Sequence, residues 1–82
     1  MSVADEFVSA SDMSRDDWEN LIDQYIIGRN AERNKKIIKR RLLDGIRYEP
    51  LSEEFDLSVR QTKKIVYEAE KKLLKYLKTD IL

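Results

Sequence analysis

Residues Tyr48 to Tyr67 read YEPLSEEFDLSVRQTKKIVY, and the order of residue types in that stretch predicts a short helix, a tight turn and a longer helix. Pro50 suits the first turn of a helix, where the N–H it lacks has no intrahelical partner, so the short helix is expected from about Pro50 to Phe55. Ser58 is a good N-cap for the next helix, and no Gly or Pro follows to stop that helix before about Lys78. Leu51, Phe55 and Leu57 are spaced to fill the angle between two crossing helices, with Thr62 and Ile65 on the inner face of the second. That orientation leaves Ser58 at the tip of the long helix, with Val59, Arg60, Gln61, Lys63, Lys64 and Tyr67 facing outward.

Working outward, the buried stripe of the long helix continues through Val66, Ala69, Leu73, Tyr76 and Leu77, and Glu68 stands three and four residues before Lys71 and Lys72, a spacing that favours surface ion pairs. Upstream, Ile37, Ile38, Leu42 and Leu43 predict a helix from about Ala31 to Asp44, with Asn30 as N-cap and Gly45 just past its end. Earlier still, Ser14 precedes Asp16 and Asp17 as an N-cap followed by first-turn acids. Trp18, Leu21, Ile22, Tyr25 and Ile26 then form an amphipathic stripe, read as core, that ends at Gly28. Residues 1–13 show no periodicity and are rich in Ser, Ala and Asp, which predicts a mobile acidic leader. The expected architecture is all-α: a small helix bundle over 14–82 with a C-terminal helix-turn-helix, its motif at about 48–67, and a long last helix.

Composition narrows the function. A chain of 82 residues has room for one domain. Without cysteine or histidine it lacks thiolate and imidazole chemistry. The carboxylates are scattered along helical faces with no Gly-rich loop among them, so neither an enzyme nor a metal or cofactor site is expected. The opening residues have no basic n-region and no long apolar run, and no stretch approaches a membrane span. A soluble, cytoplasmic protein is the expectation.

The chain is formally neutral, with 16 bases and 16 acids, but the signs are separated. Residues 1–32 hold eight acids against Arg15 and Arg29, Arg33 to Arg47 hold seven bases against Asp44, and Arg60 to Lys78 hold seven against Glu68 and Glu70. Two basic blocks suit a surface facing double-stranded DNA; they equally suit two solvated helical faces. The major groove, about 12 Å wide, admits one helix and is read by the residues of its first turns. Arg60 has the fork that guanine accepts, Gln61 the amide that adenine accepts, and Val59 an apolar contact for a thymine methyl. Lys63, Lys64 and the Ser58 hydroxyl are expected on phosphates, and Lys36, Lys39 and Arg40 are candidate phosphate contacts beside the groove.

The arrangement LSEEFDLSVRQTKKIVYEAEKKLLKYL resembles the promoter-binding fourth region of bacterial sigma factors and the small sigma-like regulators of phages and prophages. IIKRRLLDGIRYEP resembles the basic helix and loop that precede that motif, so the likeness spans about Asn30 to Leu77. It implies a sequence-specific DNA-binding transcription regulator, nucleoid-associated and acting alone or beside RNA polymerase. Arg60, Gln61, Lys63 and Lys64 match the family's groove-facing positions. Asp56 stands where the family commonly has Gly, and Ser52 where Ala is usual. A protein-binding module that docks on polymerase or another regulator is the alternative. Val59, Thr62, Val66, Ala69, Leu73 and Tyr76 also have coiled-coil spacing, which raises a homodimer, although the core is expected to consume most of that stripe.

Overall fold

Ser14 opens the described part of the chain, since the computed structural model describes residues 14–81, with side-chain surroundings through Tyr76. The leader at 1–13 and the expected burial of Leu77 lie outside what is described. Helix α1 (Arg15–Tyr25) starts with a capping box: Asp17 N–H donates to Ser14 Oγ and Ser14 N–H to Asp17 Oδ2, each at 3.2 Å. Two amides without intrahelical partners are thereby satisfied. The helix ends at Tyr25, earlier than expected, because Ile26 turns extended while its side chain stays in the core. Gly28, at φ 95°, serves the bend that follows instead of capping the helix.

Helix α2 (Ala31–Leu42) has Asn30 at its N-cap position, but the Asn30 side chain makes no capping hydrogen bond. Asn30 instead occupies a left-handed backbone at φ 62°, which Asn tolerates better than most residues. The helix stops two residues short of Asp44, where the amides of Asp44 and Ile46 fold back to the carbonyls of Lys39 and Arg40 at 3.3 and 3.1 Å. Gly45, at φ 71°, permits that reversal.

Helix α3 (Tyr48–Glu54) begins two residues before Pro50. Proline fits there because the third helical N–H also has no partner inside the helix. The turn that follows is closed by Leu57 N–H donating to Ser52 O at 2.9 Å, with Asp56 left-handed at φ 55°. Helix α4 (Val59–Ile81) then runs as one rod of 23 residues. Four helices and no strand make the described residues an all-helical bundle ending in a helix-turn-helix, α3 into α4.

The core collects Trp18, Leu21, Ile22 and Ile26 from α1 and its end, Ile37, Ile38 and Leu42 from α2, Leu51 from α3, and Val66, Ala69 and Leu73 from α4. Two buried hydroxyls are satisfied locally: Ser52 Oγ donates to Glu49 O at 2.8 Å and Thr62 Oγ1 to Ser58 O at 2.9 Å. Across the helices run ion pairs of Lys39 with Asp23, at 2.9 Å, and of Arg40 with Glu54, at 2.8 Å. Arg15 bridges to Asp44 in the same way. Exposed pairs of this kind contribute about 0–1 kcal/mol each, whereas burying one large apolar side chain contributes roughly 1.5–3 kcal/mol. Packing therefore dominates stability, and the ion pairs add to it at the edges of the helix contacts. No described helix is long and apolar enough to cross a membrane.

Asp56 is exposed and left-handed, a conformation that strains any residue with a Cβ. Asp56→Gly is expected to raise the stability by about 0.5–1 kcal/mol, read as a higher urea midpoint at unchanged slope.

Candidate nucleic-acid interface

The rotation of α4 about its own axis decides which side chains reach solvent. Thr62, Val66, Ala69 and Leu73 are buried at spacings of three and four, so the opposite side of the rod must face out. Arg60, Gln61, Lys63, Lys64 and Tyr67 are all exposed, Tyr67 at 50%. Arg60, Lys63, Lys64, Tyr67 and Lys71 line one open depression, with Val59 and Glu68 at its sides. Val59 is half-buried, not fully outward as expected. The seam with coiled-coil spacing is mostly spent, because Thr62, Val66, Ala69 and Leu73 belong to the protein's own core.

The tip of α4 is more constrained than its sequence suggested. Gln61 N–H donates to Ser58 Oγ and Ser58 N–H donates to Gln61 Oε1, both at 3.0 Å. This is a second capping box, so the oxygen of Gln61 is engaged in starting the helix. Only the amide NH2 of Gln61 is left to a partner, and adenine needs both ends of that group. Of Val59, Arg60 and Gln61, Arg60 alone is both exposed and outside the cap's hydrogen bonds.

The cations divide into two sets. Lys39 and Arg40, expected to contact phosphates, are committed to Asp23 and Glu54. With Lys36 they border a separate depression that also contains Arg15, Glu19, Asp44 and Phe55. Lys36 is exposed there and has no ion pair with a described carboxylate. On α4, Arg60, Lys63, Lys64, Lys71 and Lys72 likewise have none, and the expected pairs of Glu68 with Lys71 and Lys72 do not form among the described residues.

Two residues that the sequence reading passed over adjoin this face. Arg33, from the first turn of α2, shares a small depression with Leu57, Gln61, Lys64 and Ile65, and its only sequence signal was membership of the basic block. Tyr48 was read as preceding the short helix; as the first residue of α3 it stands under the face. Its ring carries the Arg41 guanidinium 4.3 Å from its centroid and the Lys63 ammonium at 5.6 Å. The Tyr67 ring meets it edge-on at 6.4 Å. Tyr48 thus supports Lys63 and Tyr67 from behind, by the attraction of cations and ring edges to an aromatic face.

Behind this cluster, Glu70 is half-buried, and its Oε1 has no hydrogen-bond partner. Burial pushes its carboxyl above the usual glutamate range, and the nearby Arg41 opposes the shift. Burial raises the Tyr48 hydroxyl in the same way, again opposed by Arg41. No protein-family model, curated protein or solved structure matches this chain significantly.

A carboxyl whose pKa is higher folded than unfolded stabilises the fold only while protonated; that contribution is complete below the unfolded value and is lost as pH rises through the folded one. Glu70→Gln, neutral at every pH, is therefore expected to melt at a higher temperature than the parent at about pH 7 and at nearly the same temperature at about pH 3. A gap that stays constant across this range would contradict the assignment.

Proposed function

We propose that the protein binds double-stranded DNA by laying the first turns of α4 in the major groove, as a sigma-like transcription regulator of a bacterium or phage working at the nucleoid beside RNA polymerase. One observation carries this reading: Arg60, Lys63, Lys64 and Lys71 stand exposed on one side of one helix, without carboxylate partners among the described residues, while the bases of α2 that face α1 and α3 are paired. Exposed cations without carboxylate partners are available to an external anion, and the repeating charge of a duplex satisfies several of them at once.

The roles divide by position. Arg60, in the first turn, is placed to fork onto a guanine edge, a pairing that discriminates by about 1–3 kcal/mol. Lys63, Lys64, Lys71 and Arg33 hold phosphates on either side and fix the register. Val59 and Tyr67 give the groove wall an apolar contact between the charges. Lys39 and Arg40 drop out of the interface, and Lys36 remains beside it.

Four phosphate contacts set a salt dependence: the logarithm of affinity is expected to fall against the logarithm of salt with a slope of roughly −3 to −4. Fluorescence anisotropy on a pool of random duplexes measures it. Arg60→Glu with Lys64→Glu is expected to abolish binding with the thermal melt intact, because neither side chain supports the core. Lys39→Ala is expected to lower the melting temperature slightly and to leave the affinity alone. Binding that survives the double charge reversal, or is insensitive to salt, would overturn the proposal in favour of a protein-docking module.

A further inference from the structure

The major groove offers each base a fixed set of partners: guanine presents two acceptors, N7 and O6, adenine an acceptor and a donor, cytosine a donor, and thymine an acceptor beside its methyl group. A helix tip therefore discriminates among them by the donors and acceptors it holds free. In the first two turns of α4 the exposed side chains are Arg60, Gln61, Lys63 and Lys64, with Ser58 exposed just before them. Arginine and lysine only donate. Of these four side chains, Gln61 alone carries a carbonyl acceptor.

That acceptor is engaged. Ser58 N–H can only donate, so the Gln61 atom 3.0 Å from it is the carbonyl oxygen, and Gln61 N–H returns a bond to Ser58 Oγ at 3.0 Å. Reading adenine requires the oxygen and the NH2 group to turn together toward one base edge, whereas the cap turns the oxygen back toward the start of the helix. Ser58 is itself restrained, because Thr62 Oγ1 donates to Ser58 O at 2.9 Å. Thr62 is fully buried, so the backbone that carries the cap is anchored in the core.

We propose that Ser58 is a specificity-determining residue: by holding Gln61 in the cap it leaves the tip with donors alone, which selects guanine through Arg60 and gives the amino groups of adenine and cytosine no acceptor. The inference rests on the reading of this face as a duplex site and names the base that the site selects. Ser58 acts through Gln61 and is a positioning residue. Freeing Gln61 to read adenine breaks an N-cap, so the folding of α4 itself opposes that arrangement. Lys63 and Lys64 supply affinity without discrimination, because phosphates are the same at every step.

Selection from random duplexes by the full-length protein, followed by sequencing, reads the preference. The parent is expected to enrich one guanine position. On a selected duplex, 7-deazaguanine at that position, which lacks the N7 acceptor, is expected to weaken binding at least about fivefold, whereas 7-deazaadenine in place of every adenine leaves it within about twofold. Duplexes selected by Ser58→Ala are expected to lose at least about fivefold on 7-deazaadenine as well, and Ser58→Thr, which keeps a capping hydroxyl, to retain the parent pattern. Gln61→Met is expected to keep the guanine preference, and it carries the test if Ser58→Ala melts too low for selection. Sensitivity of the parent to 7-deazaadenine, an unchanged preference in Ser58→Ala, or loss of the guanine preference in Gln61→Met would overturn the proposal. Salt-sensitive binding without any base preference overturns this inference and keeps the duplex site, whereas no binding to any duplex removes both.

Discussion

Everything about this domain depends on how α4 is seated. The rod packs on α1, α2 and α3 through one stripe, Thr62, Val66, Ala69 and Leu73, each at most 3% exposed. In a chain of 82 residues a core of this size uses an apolar side from every helix, and a helix with one buried stripe has only one azimuth that satisfies it. Rotating α4 by one residue position, about 100°, would draw Lys63 or Tyr67 into the core and expose Val66. Hydrophobic packing on one side of α4 is therefore what presents cations on the other.

The second constraint is electrostatic. Cations between helices are held by acids from other helices: Lys39 by Asp23 of α1, Arg40 by Glu54 of α3, Arg15 by Asp44 at the end of α2. These pairs contribute little energy, but they give Lys39 and Arg40 carboxylate partners within the domain. Arg60, Lys63, Lys64 and Lys71 of α4 form no ion pair with these or other described acids. The two basic blocks are thereby separated into bases paired between helices and bases left without a carboxylate partner among the described residues.

The tip of α4 shows a competition of another kind. Ser58 and Gln61 close a reciprocal cap that satisfies two backbone amides, and a side chain committed to its own backbone is less able to read a base. Below the face, Tyr48 gathers Arg41, Lys63 and Tyr67 around one ring, while Glu70 sits partly desolvated behind it. The outward set of Lys63 and Tyr67 thus depends on a residue that is itself half-buried.

Much of the architecture was written in local patterns. The amphipathic stripes of Trp18 to Ile26 and Ile37 to Leu43, the caps at Ser14 and Ser58, the positive φ at Gly45 and the uninterrupted run after Ser58 all lie within a few residues of the feature they specify, so the sequence alone determined four helices in this order and the outward side of the last. Helix ends were less legible, since Ile26 leaves α1 early with its side chain still in the core, and α3 starts before its proline because any first-turn position accepts one. What only the tertiary structure decided is the fate of individual charges. Arg40 finds Glu54 fourteen residues away, and Arg33 comes alongside Gln61 and Lys64 from another helix. Such neighbours are set by how helices cross, and no spacing along a chain encodes that.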